Sequence, residues 1–171
     1  MNIVKIIQQE SKKYLKHVAI REAISSFTYE QLFENVKDIS QKLENEEIKK
    51  HARVALLCPE GADYIILVLA ILSLDAVAVP IHLNSSKEEI KRVIDEMKIE
   101  YFIYEETLFH SNGKNESFSI SYKKHSFVIQ HLNGKLAEQN EFESLNPAFI
   151  RFSSGTTAKS KGVVISHESI L

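Results

Sequence analysis

The chain has 171 residues, of which 44% are hydrophobic and 26% are charged, and its formal net charge is −2. A chain of this length can bury a single core, which predicts one domain, with room for a small appendage. The near-neutral charge gives no electrostatic reason to expect nucleic acid or an anionic membrane as a partner. The single cysteine, Cys58, cannot form an internal disulfide, and its apolar neighbours predict a buried thiol.

The N-terminus and the apolar stretches bear on the location of the protein. The first residues, MNIVKIIQQESKKYLK, place a charge in every turn, unlike a signal peptide. The longest apolar stretch, from Tyr64 to Leu72, has nine residues, which is too short to span a bilayer and typical of a buried helix. With the lone cysteine, these features predict a cytoplasmic protein without a membrane span.

The first third of the chain begins with a helix and a hairpin. Residues 2–16 have a helical pattern, and residues 17–28 are typical of a short hairpin. Thr28 with Gln31 forms a capping-box signature, which predicts that a helix begins there. The apolar stripe of this helix has the spacing of a helix lying on a sheet, and it consists of Leu32, Phe33, Val36, Ile39 and Leu43.

A regular alternation of strands and helices follows. The pattern predicts strands over 53–58, 76–79 and 101–104, with an apolar helix over 60–74 between the first two. Ser86 with Glu89 forms a second capping box that begins the next helix. Strand, helix, strand, helix, strand predicts an α/β fold, a mostly parallel sheet flanked by helices and joined by right-handed crossovers.

The stretch 105–146 is less regular. Asn112-Gly113 and Asn133-Gly134 mark turns, and residues 118–121 and 126–130 could form strands. We predict an irregular β excursion on the surface, or an outer hairpin. The chain is therefore expected to divide into an α/β unit (1–104), this excursion (105–146) and a strand–loop–strand segment (147–171).

The last segment, PAFIRFSSGTTAKSKGVVISHESIL, concentrates small hydroxylated residues, glycine and lysine within nine positions, 153–161. Small residues let backbone N–H groups surround an anion, while hydroxyls donate hydrogen bonds and lysine supplies charge. This composition suits a polyphosphate site, although on composition alone such a loop between two strands is more often a plain hairpin turn. The motifs G-x-x-x-x-G-K-[ST] and G-x-G-x-x-G have no match, which excludes the two commonest nucleotide-binding loops.

The loop resembles the phosphate loop of the adenylate-forming (AMP-binding) enzymes, which include acyl-CoA synthetases, nonribosomal peptide adenylation domains and luciferases. Nine residues fit the family pattern in register: Phe152, Ser153, Ser154, Gly155, Thr156, Thr157, Lys161, Gly162 and Val163. Ala158 stands where glycine is usual, and Ser160 where proline is usual. If position 158 needs a left-handed backbone, alanine costs about 1–2 kcal/mol. Losing the proline costs about 0.4–1 kcal/mol.

The resemblance covers nearly the whole chain in order. Residues 26–44 resemble the family's opening strand and helix, and residues 51–104 resemble the strands and helices that follow. One departure lies there, since Asp75 replaces a usual glycine at a structural position. The resemblance implies the N-terminal subdomain of a larger ligase, which uses ATP to convert a carboxylic acid into an acyl-adenylate with release of pyrophosphate. The acyl group then passes to a thiol, either of CoA or of a phosphopantetheine carrier.

The resemblance also implies which residues hold the ATP phosphates. These are Ser153, Ser154, Gly155, Thr156, Thr157, Ala158, Lys161 and Gly162, with Lys161 as the charge that clamps the β- and γ-phosphates. Lys159 occupies the family's free position and is expected to be a solvated charge. Mg²⁺ is implied by ATP chemistry generally, but its ligands are not recognisable, and no metal site is predicted in this chain. His167, in a Ser-His pair common in the family, is a further candidate that caps the next helix or shapes the floor of the site.

The adenine and ribose sites, the acyl pocket and the late catalytic lysine of the family are expected beyond Leu171. We therefore predict no catalytic residue here and no activity of this chain alone. Two alternatives stay open. In the first, the protein is a short non-catalytic remnant or interaction module that keeps the fold. In the second, it is an unrelated flavodoxin-like domain whose loop is coincidental.

Overall fold

The computed structural model describes residues 1–109, 115–120, 125–132, 134, 140–153 and 161–171. The helices are α1 (Ile3–Ser11), α2 (Tyr29–Asn45), α3 (Ala62–Ser73), α4 (Lys87–Glu96) and α5 (Asn140–Ser144). The strands are β1 (Val18–Arg21), β2 (Ser26–Thr28), β3 (Arg53–Leu57), β4 (Val77–Pro80), β5 (Tyr101–Glu105), β6 (Asn115–Ser119), β7 (Ser126–His131), β8 (Pro147–Ser153) and β9 (Lys161–Ser166). β1 and β2 pair as a separate hairpin, and the other seven form one sheet in the order β6-β7-β5-β3-β4-β8-β9.

Both predicted capping boxes are present at the starts of α2 and α4. The Thr28 hydroxyl accepts from the Gln31 N–H at 3.3 Å, and the Gln31 side chain accepts from the Thr28 N–H at 3.0 Å. Ser86 and Glu89 make the same reciprocal pair at 3.2 and 2.8 Å. Because each box satisfies two backbone donors that the helix leaves unpaired, the helix starts could be predicted from local sequence.

The centre of the large sheet is parallel, which confirms the predicted fold class. β3 pairs in parallel with β4 and β5, and β4 pairs in parallel with β8. Val54 and Leu56 pack in the core cluster that contains α3, whereas Ala55 and Leu57 pack in the cluster that contains α4. The two helices therefore cover opposite faces, and a strand buried on both faces explains the continuous apolar run of β3.

Of the two alternatives predicted for the stretch 105–146, the structure shows the outer hairpin, which extends the main sheet. β7 pairs antiparallel with β5, and β6 pairs with β7. Phe127 and Ile129 enter the core cluster on the α3 face, and Val128 enters the cluster on the α4 face. With apolar side chains on both faces, β7 is buried like the central strands. The turn predicted at Asn112-Gly113 lies outside the described residues.

Asp75 occupies a backbone conformation that explains why glycine is usual there. Its φ is +55°, in the left-handed region that aspartate tolerates better than most residues. Its carbonyl accepts from the His51 N–H at 2.8 Å, and its carboxylate accepts from the Asn2 side chain at 2.5 Å. These contacts fit the structural role predicted for this position.

Within the described part of the chain, no helix combines the length and the apolar character needed to cross a bilayer. The apolar helix α3 has 12 residues.

Candidate functional site

The predicted phosphate loop connects the two strands of the β8–β9 hairpin. The pairing runs from Pro147 opposite Ser166 at one end to Ser153 opposite Lys161 at the other. Residues 154–160, which include the predicted site residues Ser154, Gly155, Thr156, Thr157 and Ala158, lie outside the described residues. The backbones of Ser153 and Lys161, at the two ends of the loop, are brought together by the sheet.

The direction of β8 places this end of the hairpin at the carboxyl edge of the parallel strands. β8 runs parallel to its neighbour β4, so Ser153 and the end of β4 lie at the same edge. The chain leaves β3 toward α3 on one face and leaves β4 toward α4 on the other face. In open α/β sheets, ligands bind where successive connections diverge in this way. The loop therefore begins beside the position where such a fold binds its ligand.

The N-terminus of α3 lies at the same edge, but a side chain of this protein already caps it. Gly61, with a φ of +143°, precedes the helix, and Glu22 Oε1 accepts from the Ala62 N–H at 3.0 Å. A Cβ atom on Gly61 would lie 2.9 Å from that oxygen. The negative charge of the Glu22 carboxylate therefore already occupies the positive end of this helix.

Cys58 follows β3 at this edge and is buried. Burial first, and then the nearby carboxylates of Asp63 and Glu105, raise the pKa of the Cys58 thiol to about 12. The thiol is therefore protonated at neutral pH, which does not suit a nucleophile. The predicted burial of this cysteine is confirmed.

A buried carboxylate joins the β7 hairpin to α3 at the same edge. Asp63 Oδ2 lies 2.6 Å from His125 Nδ1. Sequence reasoning missed this pair, because the two residues are 62 positions apart and share no motif. Among the described residues, no group of three or more histidine, cysteine, aspartate or glutamate side chains could hold a metal ion.

Arg151 is a second feature that the sequence did not reveal. It lies on β8, two residues before Ser153, and its side chain is exposed. Burial raises the pKa of Tyr64, in the first turn of α3, and the positive charge of Arg151 opposes that rise. An exposed cation thus stands near the end of β8 from which the loop leaves.

Gly162 has a packing requirement of its own. It lies opposite Phe152 in the hairpin. A Cβ atom there would lie 2.8 Å from Met97 Sδ and 3.2 Å from Ile150 Cγ2. The absent side chain lets β9 pack against the end of α4, whatever the residue does for a phosphate.

His167 lies at the opposite end of the hairpin from the loop. It lies six positions after Lys161, which corresponds to roughly 20 Å along an extended strand. The residue is 1% exposed, its N–H donates to the Asn146 carbonyl at 3.0 Å, and its Nδ1 accepts from the Ile3 N–H at 3.2 Å. This position gives no support to a role at the floor of the phosphate site.

Comparison with known proteins agrees with this architecture. The family of AMP-binding enzymes matches residues 7–171. A polyketide synthase–nonribosomal peptide synthetase of Phaeosphaeria nodorum is 24% identical over 168 residues, which are 98% of this chain and 4% of that protein. The chain thus spans a small part of the curated relatives it matches.

Two solved structures have the same fold. The N-terminal subdomain of Klebsiella oxytoca NpsA superposes with a TM-score of 0.75 at 24% identity, over 97% of this chain and 42% of that one. The N-terminal domain of FACL13 from Mycobacterium tuberculosis gives a TM-score of 0.73 at 22% identity, over 99% and 45%. The match over residues 7–171 excludes an unrelated domain with a coincidental loop. The chain belongs to the family of AMP-binding enzymes.

Proposed function

We propose that this chain is the ATP-phosphate-binding part of an ATP-dependent acid–thiol ligase. The complete enzyme activates a carboxylic acid as an acyl-adenylate, releases pyrophosphate and passes the acyl group to a thiol of CoA or of a carrier protein. One observation carries the proposal: the β8–β9 hairpin begins and ends the Ser/Gly/Thr/Lys loop at the carboxyl edge of a parallel sheet, in a chain of the AMP-binding family.

The chemistry explains why such a loop is needed. A carboxylate is a poor electrophile at neutral pH, and adenylation gives it a good leaving group. A carboxylate oxygen attacks the α-phosphorus, and the bond from that phosphorus to the bridging oxygen breaks, so negative charge grows on the departing pyrophosphate. Backbone N–H groups of 155–158, the hydroxyls of the loop and Lys161 stabilise that charge. Charge-assisted hydrogen bonds contribute about 1.5–3 kcal/mol each, and loss of one well-placed donor slows such a step roughly 10²–10³-fold.

Mg²⁺ enters the proposal only with ATP. The described residues offer no cluster of side chains that could hold a metal ion. Mg²⁺ keeps several waters and is bound largely through substrate phosphates in many nucleotide sites, so no step here is assigned to a protein-held ion.

The chain alone is proposed to bind phosphate without catalysing adenylation. It spans 42% of the NpsA subdomain and 45% of the FACL13 domain. We expect no exchange of labelled pyrophosphate into ATP by this chain with any acid. We also propose that the protein is located in the cytoplasm.

Pyrophosphate affinity of the purified chain, measured by calorimetry, tests the site directly. The substitution Lys161→Met removes the proposed charge clamp, and we expect it to weaken binding about 10- to 100-fold, equivalent to one charge-assisted hydrogen bond. Lys159→Met is the matched control, since it removes the same charge two positions away and is expected to change the affinity less than twofold.

Equal effects of the two substitutions would mean that binding depends on net charge alone, and the assignment of Lys161 would be wrong. No pyrophosphate binding by the unmodified chain would instead favour the non-catalytic remnant, in which Ala158 and Ser160 have weakened the loop.

A further inference from the structure

The base of the β8–β9 hairpin is tied to the first residues of the chain. We use the term base clamp for the contacts among Met1, Ile3, Asn146, His167 and Glu168. Asn146, directly before β8, donates from Nδ2 to the Met1 carbonyl at 2.6 Å and to Glu168 Oε1 at 2.7 Å. His167, directly after β9, accepts from the Ile3 N–H at 3.2 Å. The two strands of the hairpin are also joined there by the bond from the His167 N–H to the Asn146 carbonyl.

The contact with Ile3 fixes the protonation state of the His167 ring. A backbone N–H can donate to Nδ1 only when that nitrogen carries no proton, so the neutral ring carries its proton on Nε2. The residue is 1% exposed, and Nε2 has no hydrogen-bond partner among the described residues. A second proton would remove the acceptor from Ile3 and place an additional charge in a buried position.

The charged groups around the ring do not reverse this preference. Asp75 faces His167 from the end of α3, Glu168 from the following turn, and the Met1 amino group from the start of the chain. Burial lowers the pKa of His167 below its ordinary value of 6.5, and it outweighs the two carboxylates, which act in the opposite direction. The unfolded chain therefore takes up this proton first as the pH falls. The contribution of the neutral ring is complete above pH 6.5 and declines as the pH falls through the lowered pKa.

The clamp matters for the hairpin because β9 is the last strand of the sheet. Its sheet partner in the described part of the chain is β8. Val163, in its middle, is 57% exposed. β9 is thus held by β8 along its length, by the packing of Gly162 and Val164 on the side of Met97, and by the base clamp at its end. At its other end β9 begins with Lys161, where the phosphate loop finishes.

We propose that His167 and Asn146 are positioning residues for the phosphate loop: the base clamp holds β9 in register, and it holds only while the His167 ring is neutral. The link to phosphate binding rests on the proposed function. The clamp itself is a property of the fold and can be measured without any ligand.

The test uses the whole 171-residue chain, labelled with ¹⁵N, at pH 7.5 and pH 5.0. Amide-exchange protection factors of Ile3 and of the β9 amides report the clamp, and calorimetry reports pyrophosphate affinity. His167→Asn is the matched variant, since its amide oxygen can replace Nδ1 as acceptor and does not titrate. Asn146→Asp removes the donor to Met1 in a side chain of the same shape.

In the unmodified chain, we expect the protection factor of the Ile3 amide to fall at least tenfold between pH 7.5 and 5.0. The protection factors of the β9 amides should fall with it. His167→Asn should keep both constant. The ratio of the pyrophosphate affinity of the unmodified chain to that of His167→Asn should fall about fivefold at the lower pH. Because both proteins bind the same form of pyrophosphate at each pH, this ratio cancels the protonation of pyrophosphate itself. Asn146→Asp should weaken binding about fivefold at both pH values.

A constant Ile3 protection across this pH range would overturn the protonation-dependent clamp. A fall at Ile3 with unchanged β9 amides, or with an unchanged affinity ratio, would overturn the positioning role. If no variant binds pyrophosphate at either pH, the proposed function fails. Amide exchange then tests the clamp alone, through whether the β9 amides lose protection together with Ile3 as the pH falls. If His167→Asn does not fold, Asn146→Asp and the unmodified chain still give both readings.

Discussion

Two antiparallel hairpins flank the parallel centre of the sheet, and in each of them the inner strand and the outer strand are built differently. β7 of the β6–β7 hairpin places Phe127 and Ile129 in one core cluster and Val128 in the other. In the β8–β9 hairpin, Ala148 and Ile150 of β8 are buried, whereas residues 162–166 of β9 are all partly or fully exposed. Each hairpin is thus anchored in both core clusters through its inner strand, since Ala148 lies in one cluster and Ile150 in the other, while residues 117–119 of β6 are partly or fully exposed like those of β9.

This difference indicates that the candidate site lies in a part of the molecule that opens at a lower free energy than the core. Segments with few buried apolar contacts open at a lower free energy than the core, and binding elements are drawn from them. The candidate phosphate loop ends in the exposed outer strand β9, which depends on β8, on the close approach at Gly162 and on its base. A change in β9 should therefore affect the site more than the global fold.

The largest expected effect tests the comparison with the same substitution in both hairpins. Val128→Ala removes two methyl groups from a side chain that is 6% exposed, and we expect it to lower the free energy of unfolding by about 2 kcal/mol. Val163→Ala removes the same two methyl groups from a side chain that is 57% exposed, and there the free energy of unfolding should change by no more than about 0.5 kcal/mol. Urea denaturation measures both. Similar losses for the two variants would contradict the contrast between the inner and the outer strands of the hairpins.

A smaller effect is expected from Gly162→Ala, which acts on the exposed outer strand β9. The new Cβ would lie 2.8 Å from Met97 Sδ, so one of the two must move. We expect a loss of about 1–2 kcal/mol, the usual range for mild overpacking. In a Met97→Ala background the loss should largely disappear, and a double-mutant cycle measures this coupling. An equal loss in both backgrounds would show that the contact with Met97 is not the cause.

The smallest effect concerns Cys58 at the end of β3 and depends on pH. Because burial raises the pKa of its thiol from 9.0 to about 12, the unfolded chain loses this proton first as the pH rises. The stability that the neutral thiol contributes is therefore present below pH 9 and declines above it, by roughly 1 kcal/mol at pH 10. Denaturation of the parent chain and of Cys58→Ala at pH 8 and pH 10 should show this difference. If the two proteins lose stability equally, the thiol is not the group responsible.

Much of the fold could be predicted because its signals are local. The capping boxes at Thr28 and Ser86 lie within four residues each, and the apolar period of α2 repeats along one helix. The alternation of strands and helices from 53 to 104 specified a parallel sheet, and the family resemblance of the loop came from consecutive residues. The prediction stayed open between a surface excursion and an outer hairpin for residues 105–146, since the pairing of β7 with β5 has no mark in either segment.

The sequence by itself determined the class of fold, the starts of α2 and α4, the family and the residue types of the phosphate loop. Only the tertiary structure decided which distant groups meet. Glu22 caps a helix 40 positions away, Asp63 pairs with His125 across 62 positions, and His167 accepts from Ile3 across 164 positions. The physical reason is that periodicity and capping depend on neighbours along the chain. A contact between remote segments depends instead on how the sheet orders its strands, and no short pattern of residues encodes that order.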